Sequence, residues 1–166
     1  MQSRRRFLTL GLAAGVLTLH RGAFAHGNAE DADKAASEPP KEQQEWGIAG
    51  DEKSVSRTIA IMMTDEMRFV PDRTEVRLGE TIRFTYENRG AVMHEMVVGT
   101  PKTLAEHAEM MQRFPGMEHD EPWMAHVAPG RRGEMTWHFN RAGDFQFACL
   151  IPGHFQAGMI GTIEVG

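Results

Sequence analysis

From Val55 onward, apolar and polar residues alternate with a period of two along several short stretches. The clearest is Thr81-Ile82-Arg83-Phe84-Thr85-Tyr86-Glu87-Asn88, which puts Ile82, Phe84 and Tyr86 on one face. Such alternation marks a half-buried strand, because successive side chains of a strand point to opposite faces. Thr74 to Leu78 alternates in the same way, and Val55, Ile59 and Ile61 lie in an earlier strand-like stretch, followed by Phe69-Val70-Pro71. Further strands are expected at His94 to Val98, Gly133 to Phe139, Asp144 to Ala148 and Gly161 to Val165. Gly79-Glu80, Asn88-Arg89-Gly90 and Pro129-Gly130 punctuate them as turns. Short strands separated by Gly, Pro and Asn predict an all-β sandwich. Roughly Thr100 to Gly130 departs from this pattern. Leu104 to Met111 is composed of good helix formers, and Pro115-Gly116 stops it. A short helical insertion between two strands is expected there, trailing into a loop up to Pro129-Gly130.

The N-terminal part reads differently. Residues 26–53 are rich in Ala, Glu, Asp, Lys, Gln and Pro, with few large apolar side chains. Such a composition buries too little surface to offset the entropy of ordering, so it predicts a flexible acidic tail ahead of a domain at 54–166. Arg4-Arg5-Arg6-Phe7-Leu8 opens an apolar run to Leu19, and Ala23-Phe24-Ala25 supplies a small-x-small site. Together they predict an export signal over residues 1–25, cleaved after Ala25. The adjacent arginines before Phe-Leu resemble the twin-arginine type, the alternative being an Arg-rich general secretory signal. The apolar run is shorter than the roughly 20 residues a membrane-spanning helix needs. The expected mature protein is therefore periplasmic, with no membrane span and 141 of the 166 residues. Losing Arg4, Arg5, Arg6 and Arg21 leaves 14 basic residues against 23 acidic ones, a net charge of −9. That charge excludes nucleic acid as a natural partner.

The chemistry concentrates near the C-terminus. Ala148-Cys149-Leu150-Ile151-Pro152-Gly153-His154-Phe155-Gln156-Ala157-Gly158-Met159 places a thiol, an imidazole and a thioether in one short loop. Cys149 is the sole cysteine of the chain, so an intramolecular disulfide is impossible. A free thiol is a liability in an oxidising compartment, and ligation of a metal explains its presence there. Cys149, His154 and Met159, with one more histidine, make the trigonal His₂Cys site with a weak axial Met that marks type 1 copper. His94, on an earlier strand, is the natural fourth ligand.

These pieces resemble the cupredoxins, the small β-sandwich copper proteins. Asn88-Arg89-Gly90 with His94 shortly after looks like the strand–loop–His element of that family. Gly143 to Cys149 looks like the strand that delivers the cysteine, and Pro152-Gly153-His154 and Met159-Ile160-Gly161 like the end of the ligand loop. The resemblance covers about Val55 to Gly166 and implies a Greek-key β-sandwich holding one type 1 copper on His94, Cys149, His154 and Met159. The chain looks most like the exported cupredoxins of bacterial copper tolerance. In azurins and plastocyanins the residue after the first histidine is typically Asn, whose side chain ties the two ligand loops together. Here Glu95 stands in that place, which leaves the tie without its usual residue.

Further soft ligands lie outside this set. Met110, Met111, Met117 and His119 in the insertion are a candidate looser Cu(I) site, the alternative being that Met110 or Met111 packs the helix on the sandwich. His26 is another candidate, through its imidazole and a free α-amine, if cleavage falls after Ala25. His138, between Trp137 and Phe139, reads as structural, and His126 as either near the metal or capping a loop. Phe145, Phe147, Phe155 and Ile160 are candidates for the apolar shell. The expected function is copper binding in copper tolerance with one-electron redox, and the alternative is a soluble electron shuttle between respiratory partners. An enzyme is not expected, since multicopper catalysts carry His-x-His pairs and this chain has none. Copper ions and a redox or copper-handling protein are the expected partners.

Overall fold

A computed structural model describes residues 41–117 and 119–166. The expected export signal, residues 1–25, lies outside the described residues, as does His26. The first sheet is formed by β1 (Gln43–Gln44), β2 (Gly47–Ala49), β3 (Arg57–Thr64), β4 (Arg68–Val70), β6 (Thr81–Asn88) and β9 (Arg132–His138). Its order is β1-β2-β9-β6-β3-β4. The second is formed by β5 (Arg73–Val76), β7 (His94–Gly99), β8 (Met124–Val127), β10 (Gly143–Ala148) and β11 (Ile160–Val165), in the order β5-β11-β10-β7-β8. Pairing is antiparallel except for β3 with β6 and β5 with β11.

The alternating stretch at 81–88 becomes β6 over its full length, with Ile82, Phe84 and Tyr86 buried as its pattern requires. They share one core cluster with Trp137 and Phe139 at the end of neighbouring β9, Phe69 of β4 in the same sheet, and Phe147 of β10 in the second sheet. Phe69 meets Phe147 edge-on, with ring centroids 5.0 Å apart, a favoured aromatic geometry. Cys149 and Met159 belong to the same cluster, so the site is built on one end of the core and not on its surface.

The helix α1 (Pro101–Arg113) begins where the sequence supplies a start signal. Thr100 caps it by accepting from the Thr103 amide, Thr103 answers through its hydroxyl, and Pro101 fills the first turn, where no amide is needed. Leu104, Ala108 and Met111 recur at helical spacing, are buried, and pack on Val97, Ala148 and Leu150. The helix therefore lies over the outer face of the second sheet, against the strands that carry His94 and Cys149.

Two expectations need correction. The stretch after the helix is not all loop: Met124–Val127 forms β8 and pairs with β7, His94 opposite Val127 and Glu95 opposite His126. Residues 41–53, expected as part of a flexible tail, belong to the sheet. Ile48 and Ala49 pair with His138 and Trp137 of β9, and a 3-10 turn at Glu52–Ser54 leads into β3. The physical reason is Trp46, which is buried and supplies the anchor that average composition conceals. His138 is structural as expected, its Nδ1 lying 3.0 Å from Thr81 Oγ1. Among the described residues no helix is long and apolar enough to cross a membrane.

Candidate metal centre

Three loops converge at the end of the sandwich where β7 begins and β10 ends. Asn88 shapes the first: its side chain donates to Val92 O and Val127 O, each at 2.8 Å, and accepts from the Gly90 amide. This folds residues 89–93 so that the chain enters β7 at His94, whose ring is fully buried. A Cβ at Gly90 would overlap the Asp65 carboxylate, so any larger residue there would push Asp65 aside.

Asp65, in the turn between β3 and β4, is the residue the sequence did not disclose. It accepts from the Ala91 amide at 2.7 Å and from His94 Nε2 at 3.1 Å. The Ala91 amide, above all, holds its carboxyl below the ordinary range, with His94 adding to the effect. An ionised carboxylate only accepts, so His94 donates to it through Nε2, and in the neutral ring that leaves Nδ1 as the atom free to take a metal. That Nδ1 is buried and has no hydrogen-bond partner. A buried polar atom left unpaired costs about 1–3 kcal/mol unless something satisfies it.

Cys149 follows β10 directly, and its amide donates to Met159 O at 3.1 Å. Its Sγ lies 3.2 Å from His154 Nδ1 and takes the Glu95 amide at 3.5 Å. Burial pushes the Cys149 thiol up to about 12, so a cation must displace its proton for the thiolate to form. Burial also lowers the His154 imidazole, with His94 nearby as a smaller cause, favouring the neutral form a metal needs. One ligand atom each from His94, Cys149 and His154 fall within 4.8 Å of one another. Met159 is fully buried and closes the loop, its amide donating to His154 O at 3.1 Å. The donor set and the orphaned Nδ1 together fit a soft or borderline metal ion.

The loop that carries these residues is held from several sides. Gly153 and Gly158 take positive φ, and the Gly153 amide donates to Gln156 Oε1. Arg68 of β4 reaches over to donate to Ala157 O at 3.1 Å. Glu95 itself supplies the tie that lacks its usual Asn: its Oε1 accepts from the Leu150 amide at 2.7 Å, joining the two ligand loops. Burial raises the Glu95 carboxyl, and the Leu150 amide and His126 partly offset this. Glu95→Ala should cost about 1–3 kcal/mol by leaving that buried amide unpaired. Glu95→Gln keeps an acceptor and should cost clearly less; thermal melting of the metal-free proteins checks both. Of the expected apolar shell, Phe145 and Phe147 are in the main core, whereas Phe155 and Ile160 pack with the helix cluster. His126 lies on β8 with Nε2 3.0 Å from Glu95 Oε2.

Comparison with known proteins agrees with this geometry. The chain is 44% identical over 146 residues to the copper-resistant cuproprotein CopI of Rubrivivax gelatinosus, covering 88% of this chain and 82% of that one. It is 32% identical over 160 residues to the protein of the same name from Pseudomonas aeruginosa, covering 79% and 88%. Reduced auracyanin from Roseiflexus castenholzii superposes with a TM-score of 0.60 at 24% identity, covering 68% of this chain and 98% of that one, a likeness of fold. Residues 55–166 match the copper-binding proteins of the plastocyanin/azurin family. The sandwich, the His-Cys-His cluster at its end and these matches lead to one conclusion: the chain belongs to the plastocyanin/azurin family of copper-binding proteins.

Proposed function

We propose that the protein is a periplasmic copper-handling protein of copper tolerance, binding one copper through His94, Cys149, His154 and Met159. The observation that carries this is the buried, unpartnered Nδ1 of His94 in a cluster with Cys149 and His154. Bound copper would supply a one-electron Cu(I)/Cu(II) couple at this place. Asp65 would keep the His94 tautomer, Glu95 would hold the two ligand loops in register, and Arg68 would brace the far side of the loop. A site with little freedom to move changes little between oxidation states. The tolerance role draws support from the relatives named copper-resistant cuproproteins. Export rests on the residues 1–25 pattern, and sequencing the N-terminus of the secreted protein should begin at His26.

Titration of the mature protein with Cu(II), with visible spectra and metal analysis together, tests the site. One tightly held copper with an intense thiolate-to-copper band is expected; copper bound without that band would reject the ligand set. Growth of a copper-sensitive strain with and without the gene tests the physiological role. Met159→Leu should retain copper and colour but shift the reduction potential, because the weak axial ligand tunes it. Voltammetry checks it, and an unchanged potential would remove Met159 from the ligand set. A second reading, the electron shuttle, has one observation in its favour. Val92 and Met93, next to His94, are exposed and give the site an apolar rim where a redox partner could dock.

A further inference from the structure

Outside the centre just described, a second group of soft ligands gathers beside the end of α1. His107 and Met111 are four residues apart on α1, so they share a face of the helix. Met110, one position off that face, is exposed instead. The chain leaving the helix brings His119 back over the same face, and His107 Nε2 lies 3.0 Å from His119 Nε2 with the rings stacked. Two metal–nitrogen bonds of about 2.0–2.1 Å at a tetrahedral angle would set two nitrogens about 3.3 Å apart, so the pair is near ligating geometry. Burial, with His119 as a smaller cause, lowers the His107 imidazole and keeps it in the neutral form that binds metal.

The two imidazoles line a small cavity of about 10 Å³ together with Met111, Met117 and Met124. That is room for about one water-sized sphere, hence for one ion. His126 and Glu95 form its remaining wall, with the His126 imidazole held by Glu95 Oε2. Met117 and His119 also line a wider groove that reaches Ile151 and Pro152 of the ligand loop, which gives an ion a way in. Met111 packs the helix on the sandwich and also lines the cavity.

We propose that this cavity is a second metal site, selective for Cu(I), with His107 and His119 ligating through Nε2 and thioethers of Met111, Met117 and Met124 supplying the remaining donors. Thioether and imidazole together select Cu(I) over the harder divalent ions. The choice of copper among soft ions rests on the proposed copper role; the existence of the site does not. The site lies beside the first centre, since Glu95 borders the cavity and also ties down the Leu150 amide next to Cys149.

The experiment is an anaerobic Cu(I) titration of the full chain against a chromophoric Cu(I) chelator. Four proteins are compared: wild type, the double variant His107→Ala/His119→Ala, Cys149→Ala, and all three substitutions combined. The double variant should lose one equivalent of Cu(I), Cys149→Ala a different one, and the combination both. Equal Cu(I) binding by wild type and the double variant would overturn the proposal. Loss on the double variant with none on Cys149→Ala would leave this site standing and reject the first centre. Because the alanine variants remove packing as well, the wild-type protein is also followed by NMR during the titration. The His107 and His119 ring signals should move with one equivalent of Cu(I), and rings unmoved at saturation would overturn the proposal whatever the variants do.

Discussion

Cys149→Ser should abolish the intense visible absorption of the copper-loaded protein. The band requires electron transfer from a thiolate sulfur to Cu(II), and the chain holds no second cysteine to replace the lost one. A serine hydroxyl keeps its proton near neutral pH and is a hard donor, so it supplies neither the charge nor the covalency of the thiolate. Copper affinity should also fall by more than about 100-fold, the upper range for loss of a supporting residue around a metal, since a ligand itself is removed. The fold should survive: the new hydroxyl is buried beside His154 Nδ1 and the Glu95 amide, at a cost of no more than about 1–3 kcal/mol. Visible spectra, metal content and far-ultraviolet circular dichroism on one sample separate these effects. A variant that stays coloured would sink the assignment of Cys149.

Trp46→Ala should destabilise the protein by about 3–5 kcal/mol, the range for deleting a buried aromatic ring. Trp46 meets Trp123 edge-on at 5.7 Å, Trp123 in turn meets Trp137 at 6.2 Å, and Trp46 O accepts from Trp137 Nε1 at 2.9 Å. The substitution empties one end of this row of indoles. Domains of this kind are stable by only about 5–15 kcal/mol, so the loss is a large share of the total. A residue in a flexible tail would change stability by no more than about 0.5 kcal/mol. The denaturant midpoint of the two proteins therefore decides whether residues 41–53 are part of the folded unit.

What could be read from sequence follows from how local each signal is. Strand β6 and the Cys149–Met159 loop were legible because all their information lies within a few consecutive residues. His94 was legible through order along the chain, with Asn88 and Gly90 shaping the turn before it. Asp65 was not legible, because a single acidic residue in a turn carries no spacing that ties it to a histidine 29 positions away. Glu95 was legible as a departure from Asn but not as a working substitute. Only the fold shows that the longer carboxylate still reaches the Leu150 amide. Strand β8 was hidden because Met124-Ala125-His126-Val127 is short and takes its register from β7. The pairing of His107 with His119 crosses the end of the helix, and no periodicity encodes it.

The β1–β2 ribbon has a consequence beyond the indoles it anchors. In the first sheet it lies outside β9, which spans seven residues and pairs on its other side with β6. Without the ribbon, the outward backbone groups of β9 from Thr136 to His138, which Ile48, Ala49 and Gly50 now cover, would form an open border that invites another chain to add a strand. The ribbon is short, two and three residues, and the polar Gln43 and Gln44 make its outermost strand, so it offers a poor template itself. It acts as a guard against self-association: a chain shortened to begin after Gly50 should stick to its own copies even where its copper ligands remain intact.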